Sequence, residues 1–102
     1  MHAVRRSLRP SWVEITQAAG RLVGRPWGEM VEQYGSWGRD GVLAVATRSL
    51  GWKLSEAVKE LPGLSYHAAA QGIRRFWKSM ATTPQKAAFA RKLASELSTI
   101  QV

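Results

Sequence analysis

From residue 11 to residue 100, apolar and polar positions recur with helical period, and glycines and prolines cut the pattern into six segments. Ser11 followed by Glu14 makes an S-x-x-E capping box, and Ile15, Ala18, Ala19, Leu22 and Val23 carry an apolar stripe as far as Gly24. These residues predict a first helix. Pro26 suits a first helical position; Trp27, Met30, Val31 and Tyr34 follow at helical spacing, and Gly35 supplies the stop. The stretch GSWGRDG, residues 35–41, sets three glycines around one aromatic, which predicts a tight loop anchored by Trp37. Leu43, Ala46 and Leu50 space a third helix that ends at Gly51. Leu54, Ala57, Val58 and Leu61 space a fourth, stopped by Pro62 and Gly63. A fifth helix runs from about Ser65 to Met80. Its inner line is Ala69, Ile73, Phe76 and Met80, and its outer line is His67, Gln71, Arg74 and Lys78. Thr83 and Pro84 open a sixth helix whose stripe is Phe89, Leu93, Leu97 and Ile100. No segment has the period of a strand, and no internal repeat is present. The pattern predicts an all-α fold, a six-helix bundle forming one domain over residues 11–102 behind a basic arm at residues 1–10.

Charge changes this picture from a bundle to a bundle with a polyanionic partner. Among 102 residues there are 15 Lys+Arg and 7 Asp+Glu, a formal charge of +8, and the isoelectric point is near 10.9. Such a balance favours nucleic acid or an acidic surface. Cysteine is absent, which excludes disulfide scaffolds and thiolate zinc sites, and the two histidines, His2 and His67, are far apart in sequence. No metal or cofactor is expected. The longest apolar run, VLAVA at residues 42–46, is far short of the roughly 20 residues of a membrane span. A soluble, cytoplasmic, nucleoid-associated protein is therefore expected. Arg5, Arg6 and Arg9 in the first 13 residues, with no acid among them, read as a frayed arm that seeks phosphate; a transit peptide is the alternative.

The chemistry concentrates between residues 54 and 80. A short helix, a glycine-containing turn and a longer helix with an apolar inner face make the pattern of a helix-turn-helix, with residues 54–61, 62–64 and 65–80 in the three places. In that motif the second helix enters the major groove of DNA and its N-terminal residues meet base edges. Ser65, Tyr66, His67, Ala68 and Gln71 are the candidate base readers: hydroxyls and amides donate and accept, and alanine touches a thymine methyl. Tyr66 has a second reading, in which it points into the bundle. Arg74, Arg75 and Lys78 fall where a helix leaving the groove passes phosphates. Lys53 and Ser55 open the fourth helix, whose free N–H groups also favour a phosphate. Trp12, Trp27, Trp52 and Trp77 read as packing residues rather than stacking platforms. No phosphate-binding loop, H-E-x-x-H or cysteine nucleophile occurs, and Ser65 with His67 lacks a carboxylate for a triad. An enzyme is not expected, nor a small-molecule substrate.

From Glu14 to Leu97 the chain resembles the C-terminal DNA-binding domain of the bacterial chromosomal replication initiator. RDGVLAVATRSLGWKLSEAVKELPGLSYHAAAQGIRRF lies without gaps on that family's long helix, helix-turn-helix and signature. The resemblance implies a Trp-repressor-like helical fold and binding to double-stranded DNA. The family signature Gly-Gly-Arg-Asp-His-Thr-Thr-Val aligns with Pro62 through Ala69, where only Gly63 is identical. Leu64 and Ser65 replace the signature's Arg and Asp, so the family's own DNA box does not carry over. The chain is more similar still to the version of this domain appended to IS200-like tyrosine transposases, including those associated with repetitive palindromic elements. There PWGEMVEQYGSWGRD has a near counterpart and a tyrosine often stands at Tyr66. By this resemblance Arg39 occupies the region of a basic loop that reaches the minor groove, Arg48 lies near a phosphate-contacting lysine, and Leu54 and Ser55 match a backbone-contacting helix start. Ser65, Tyr66, His67 and Ala68 match the base-reading positions. The transposase catalytic domain is not in this chain, so catalysis would come from another polypeptide, a transposase or other protein partner. Two other expectations compete. One is a protein-interaction module that uses the same scaffold and an exposed Leu64 to bind an acidic partner. The other, weaker, is a basic amphipathic segment at residues 73–92 lying on anionic membranes.

Overall fold

In the computed structural model, residues 9–29 and 36–98 are described. They are entirely helical in their regular structure, with no strand among them. Helix α1, Trp12–Val23, begins as its capping box dictates: the Ser11 hydroxyl accepts the Glu14 N–H at 3.1 Å, and the Glu14 carboxylate accepts the Ser11 N–H at 2.8 Å. It ends at Gly24, whose φ of 81° lets its N–H reach back to the Gly20 carbonyl. Ile15, Ala18 and Ala19 are fully buried, whereas Val23, expected in the stripe, is exposed. Residues 27–29 are helical. The rest of that predicted helix, with Met30, Val31 and Tyr34, lies outside the described residues, as does Ile100.

Helix α2 is Ser36–Ser49, and this corrects the loop expected at residues 35–41. Gly41 serves close approach instead of a turn. Gly38 and Gly41 are buried, and a Cβ on Gly41 would stand 3.0 Å from both the Phe76 and Phe89 rings. Trp37 still anchors the segment, with ring centroids 6.0 Å from Phe76 and 5.3 Å from Phe89. Val42, Leu43, Ala44, Val45 and Ala46 are all buried, so over these residues α2 is apolar on every side and forms the central rod. The other helices pack around it.

Helix α3 is a single turn, Leu54–Ala57, that tightens into a 3-10 turn at Val58–Glu60; helix α4 is Tyr66–Met80 and helix α5 is Pro84–Ser98. Ala57, Leu61, Ala69, Phe76, Phe89, Leu93 and Leu97 fill the core from these elements, with Leu54, Val58, Ile73 and Met80 packed at its edge. The tryptophans pack as expected. Trp12 meets Trp27 and Trp52 edge-on at 6.4 and 5.4 Å, and the Trp52 indole N–H donates to the Pro10 carbonyl at 2.9 Å. Arg9, assigned to a free basic arm, is instead engaged: its guanidinium lies 4.2 Å from the Trp52 ring centroid and 3.0 Å from the Glu56 carboxylate. Residues 1–8, including Arg5 and Arg6, lie outside the described residues.

Candidate nucleic-acid interface

The turn before α4 is set by Gly63, whose φ of 88° is open to glycine and strained for other residues. The Leu64 N–H donates to the Leu61 carbonyl at 3.1 Å. Leu64 itself is half-buried and packed against the core, which corrects its expected exposure. Ser65 then holds an extended backbone, φ −81° and ψ 158°, and its hydroxyl oxygen accepts the Ala68 N–H at 3.1 Å. Ser65 is thus the N-cap of α4, which leaves its hydroxyl proton to donate outward.

Along α4 the inner line is buried at Ala69, Gly72 and Phe76, and the outer line, His67, Gln71, Arg74 and Lys78, is exposed throughout. Tyr66 is 58 % exposed, so the reading that pointed it into the bundle is corrected. Ala68 is half-buried beside them. The helix carries Arg74, Arg75 and Lys78 and no acid. Arg74 and Lys78 have no carboxylate within ion-pair distance among the described residues. Arg75, placed with Arg74 by sequence, diverges from it.

Arg75 lies on the flank of α4 and donates to Asp40 Oδ2 at 3.3 Å. Asp40 is only 2 % exposed, wedged between α2 and α4 against Gly72, where a Cβ would overlap its carboxylate. Burial raises the Asp40 pKa above its ordinary value, while the Arg39 and Arg75 guanidiniums pull it back. Arg39 Nε and Asp40 Oδ1 are both buried without a hydrogen-bond partner, and they stand 3.7 Å apart. Each is the nearest answer to the other's charge. Arg39 therefore sits in the first turns of α2, bound up with Asp40, and the loop position that the resemblance implies for it is corrected.

The remaining candidates surround α4 unequally. Lys53 and Ser55 are exposed at the start of α3, but the Lys53 N–H is already taken by Glu56 Oε1 at 3.0 Å. That N–H, with Arg9 beside it, holds the Glu56 carboxyl below its ordinary range. Of the N–H groups at this helix start, that of Lys53 is engaged within the chain. Arg48 is exposed with its guanidinium 4.7 Å from the Trp77 ring centroid, on the other flank of α4 from Asp40. Sequence reasoning missed Asp40, Ser79 and Lys86, which line one recess with Arg75. The available signal was Lys86 itself, a cation in the first turn of a helix without an acid there.

Among the described residues no cluster of His, Asp or Glu is placed to hold a metal ion, and no helix is long and apolar enough to cross a membrane. Comparison with protein-family models, with curated proteins and with solved structures gave no match to this chain.

Proposed function

We propose that the chain is a double-stranded DNA-binding module in which residues 54–80 act as a helix-turn-helix and α4 enters the major groove. One observation carries the reading: α4 is a capped helix with a continuous exposed face of His67, Gln71, Arg74 and Lys78, and it has no acid along its length. From residue 65 to residue 98 there are six cations and one acid, so α4 and α5 hold most of the molecule's excess positive charge. Polar groups able to read base edges come first, Tyr66, His67 and Gln71, and cations follow one to three turns later. Ser65 and Ala68 allow close approach at the helix start. Arg74 and Lys78, with Arg48, Lys53 and Ser55 on flanking elements, meet phosphates. The module is non-catalytic by itself. Its kinship with replication-initiator and transposase-associated DNA-binding domains rests on the residues quoted above, WGRD, the Gly63 turn and IRRF, and is part of the proposal.

Each competing reading loses one support. Leu64, which was to anchor an acidic protein partner, is packed on the core, and Phe76, Trp77 and Phe89, which a membrane-bound segment would need, are core or core-edge residues. The test is an electrophoretic mobility shift of duplex DNA at low salt. Binding that weakens steeply as salt rises supports the reading. No retardation of any duplex at low salt would overturn it.

A further inference from the structure

The recess between the flank of α4 and the start of α5 has a volume of about 170 Å³ and is lined by Trp37, Asp40, Arg75, Phe76, Ser79 and Lys86. Its polar groups are arranged in a chain. The Lys86 ammonium donates to the Ser79 hydroxyl at 2.9 Å, and that hydroxyl donates in turn to the Phe76 carbonyl at 3.1 Å. Trp37 lies under the ammonium, its ring centroid 5.9 Å away.

Lys86 is poorly compensated where it stands. It is half-buried, yet among the described residues no carboxylate lies within ion-pair distance of it, and it meets only one neutral hydroxyl and, more distantly, the Trp37 ring. A partly desolvated ammonium in that position is costly. It also sits in the first turn of α5, at the positive end of the helix dipole, in a helix with no acid in that turn. Both costs fall when an anion enters. Arg75 faces the same recess. Its partner Asp40 is shared with Arg39, so the bracket of two guanidiniums on one carboxylate keeps a net positive charge. Lys86 raises that charge to about +2 by formal count, around a space with aromatic walls.

We propose that this recess is an anion site in which Lys86 and Arg75 grip a phosphate group, with Asp40 as the positioning residue that aims Arg75. Given the DNA-binding reading, on which this choice of source rests, the group is a backbone phosphate beside the groove that α4 enters. A free phosphate is the other source of the same chemistry. Lys86 is then a contact that acts on every DNA sequence alike.

Two measurements on the full chain and its Lys86→Ala and Lys86→Arg variants test this. In the first, fluorescence anisotropy of unrelated mixed-sequence duplexes is followed over a salt series. Lys86→Ala is expected to flatten the slope of log K against log salt by about 0.9 on every duplex, and Lys86→Arg to restore it. In the second, thermal unfolding is compared in inorganic phosphate and in chloride at matched ionic strength. Phosphate is expected to raise Tm of the wild type and Lys86→Arg but not of Lys86→Ala. Dependence on Lys86 in either measurement supports the site, and the arm in which it shows identifies the source. If the wild type binds duplex but neither arm responds to Lys86, the site is overturned while the DNA reading stands. If no duplex is bound but phosphate stabilises through Lys86, the DNA reading falls and the site stands.

Discussion

Asp40 carries more structural information than any other single residue. It is a carboxylate at 2 % exposure, sandwiched between helices, with guanidiniums on two sides and the backbone of Gly72 on a third. Gly72→Ala would force a methyl into that carboxylate, and either helix must yield. A loss of about 1–3 kcal/mol in urea unfolding is expected. Combining Gly72→Ala with Asp40→Ala should cost less than the two separate losses added together, because the second substitution removes the clash created by the first. The pH dependence has a definite sign. Burial raises the Asp40 pKa, so the folded state holds its proton more tightly than the unfolded chain does. The stability this confers is present in full below the ordinary value of 3.8 and is lost as pH rises through the folded value. The stability of the wild type relative to Asp40→Asn should therefore fall as pH rises across that window. A difference that stays constant with pH would contradict the burial argument. Glu56 runs the other way. Its pKa is lowered by the Lys53 N–H and Arg9, so its contribution is present above the ordinary 4.5 and is lost as pH falls through the folded value; Glu56→Gln should be less acid-sensitive.

At the level of helices, starts and stops written in side-chain chemistry were legible. Ser11 with Glu14, Gly24 and Gly63 act as their residue types require; on α4 the expected inner line is buried at Ala69 and Phe76 and half-buried at Ile73 and Met80, and the outer line is exposed. The misreading fell on residues 35–41. There glycine has two physical uses, freedom of turn and absence of bulk, and a sequence does not say which is meant. Gly41 is small so that α2 can lie close to the Phe76 and Phe89 rings, and the helix runs through it and the buried Gly38. The same ambiguity hid Asp40 and its hold on Arg39, which the resemblance set in a loop reaching the minor groove. Ser65 offers the sharpest test at this scale, because it is both cap and candidate base reader. Ser65→Ala should cost about 1 kcal/mol of stability, and Ser65→Asn, which restores an N-cap acceptor, should recover most of it. A change in sequence preference with Ser65→Asn at recovered stability would separate the two roles.

Across the described residues, charge and core are segregated except at Asp40 and its partner Arg39. Core residues of the described helices converge on α2, and Arg74 and Lys78, without an ion-pair partner among the described residues, stand on the outer side of α4. Replacing Arg74 and Lys78 by alanine together should weaken binding to all duplexes alike and reduce the salt slope by about 1.8, two contacts at about 0.9 each. His67→Ala or Gln71→Ala should instead alter which sequences are preferred in a selection from a random pool, at a cost near 1–3 kcal/mol for a favoured base. The identity of that favoured sequence was not legible, and for a physical reason. The turn and scaffold are constrained by backbone geometry at Gly63 and by packing at Ala69 and Phe76. The outer positions are constrained only by what they touch.

The close seam around α2 also has an evolutionary reading. Most cores are least forgiving where their largest side chains are deleted, since a cavity opens. Here the contacts with least slack are at Gly72, under a carboxylate, at Gly20, against the Arg25 carbonyl, and at Gly41, between two phenylalanine rings, with Ala44 and Ala69 fully buried in the helices they belong to. A saturation-mutagenesis map of this chain should therefore show its deepest intolerance at some of its smallest residues. Drift in the family of sequences able to keep this shape would be free on the exposed side of α4 and nearly frozen at these glycines and alanines.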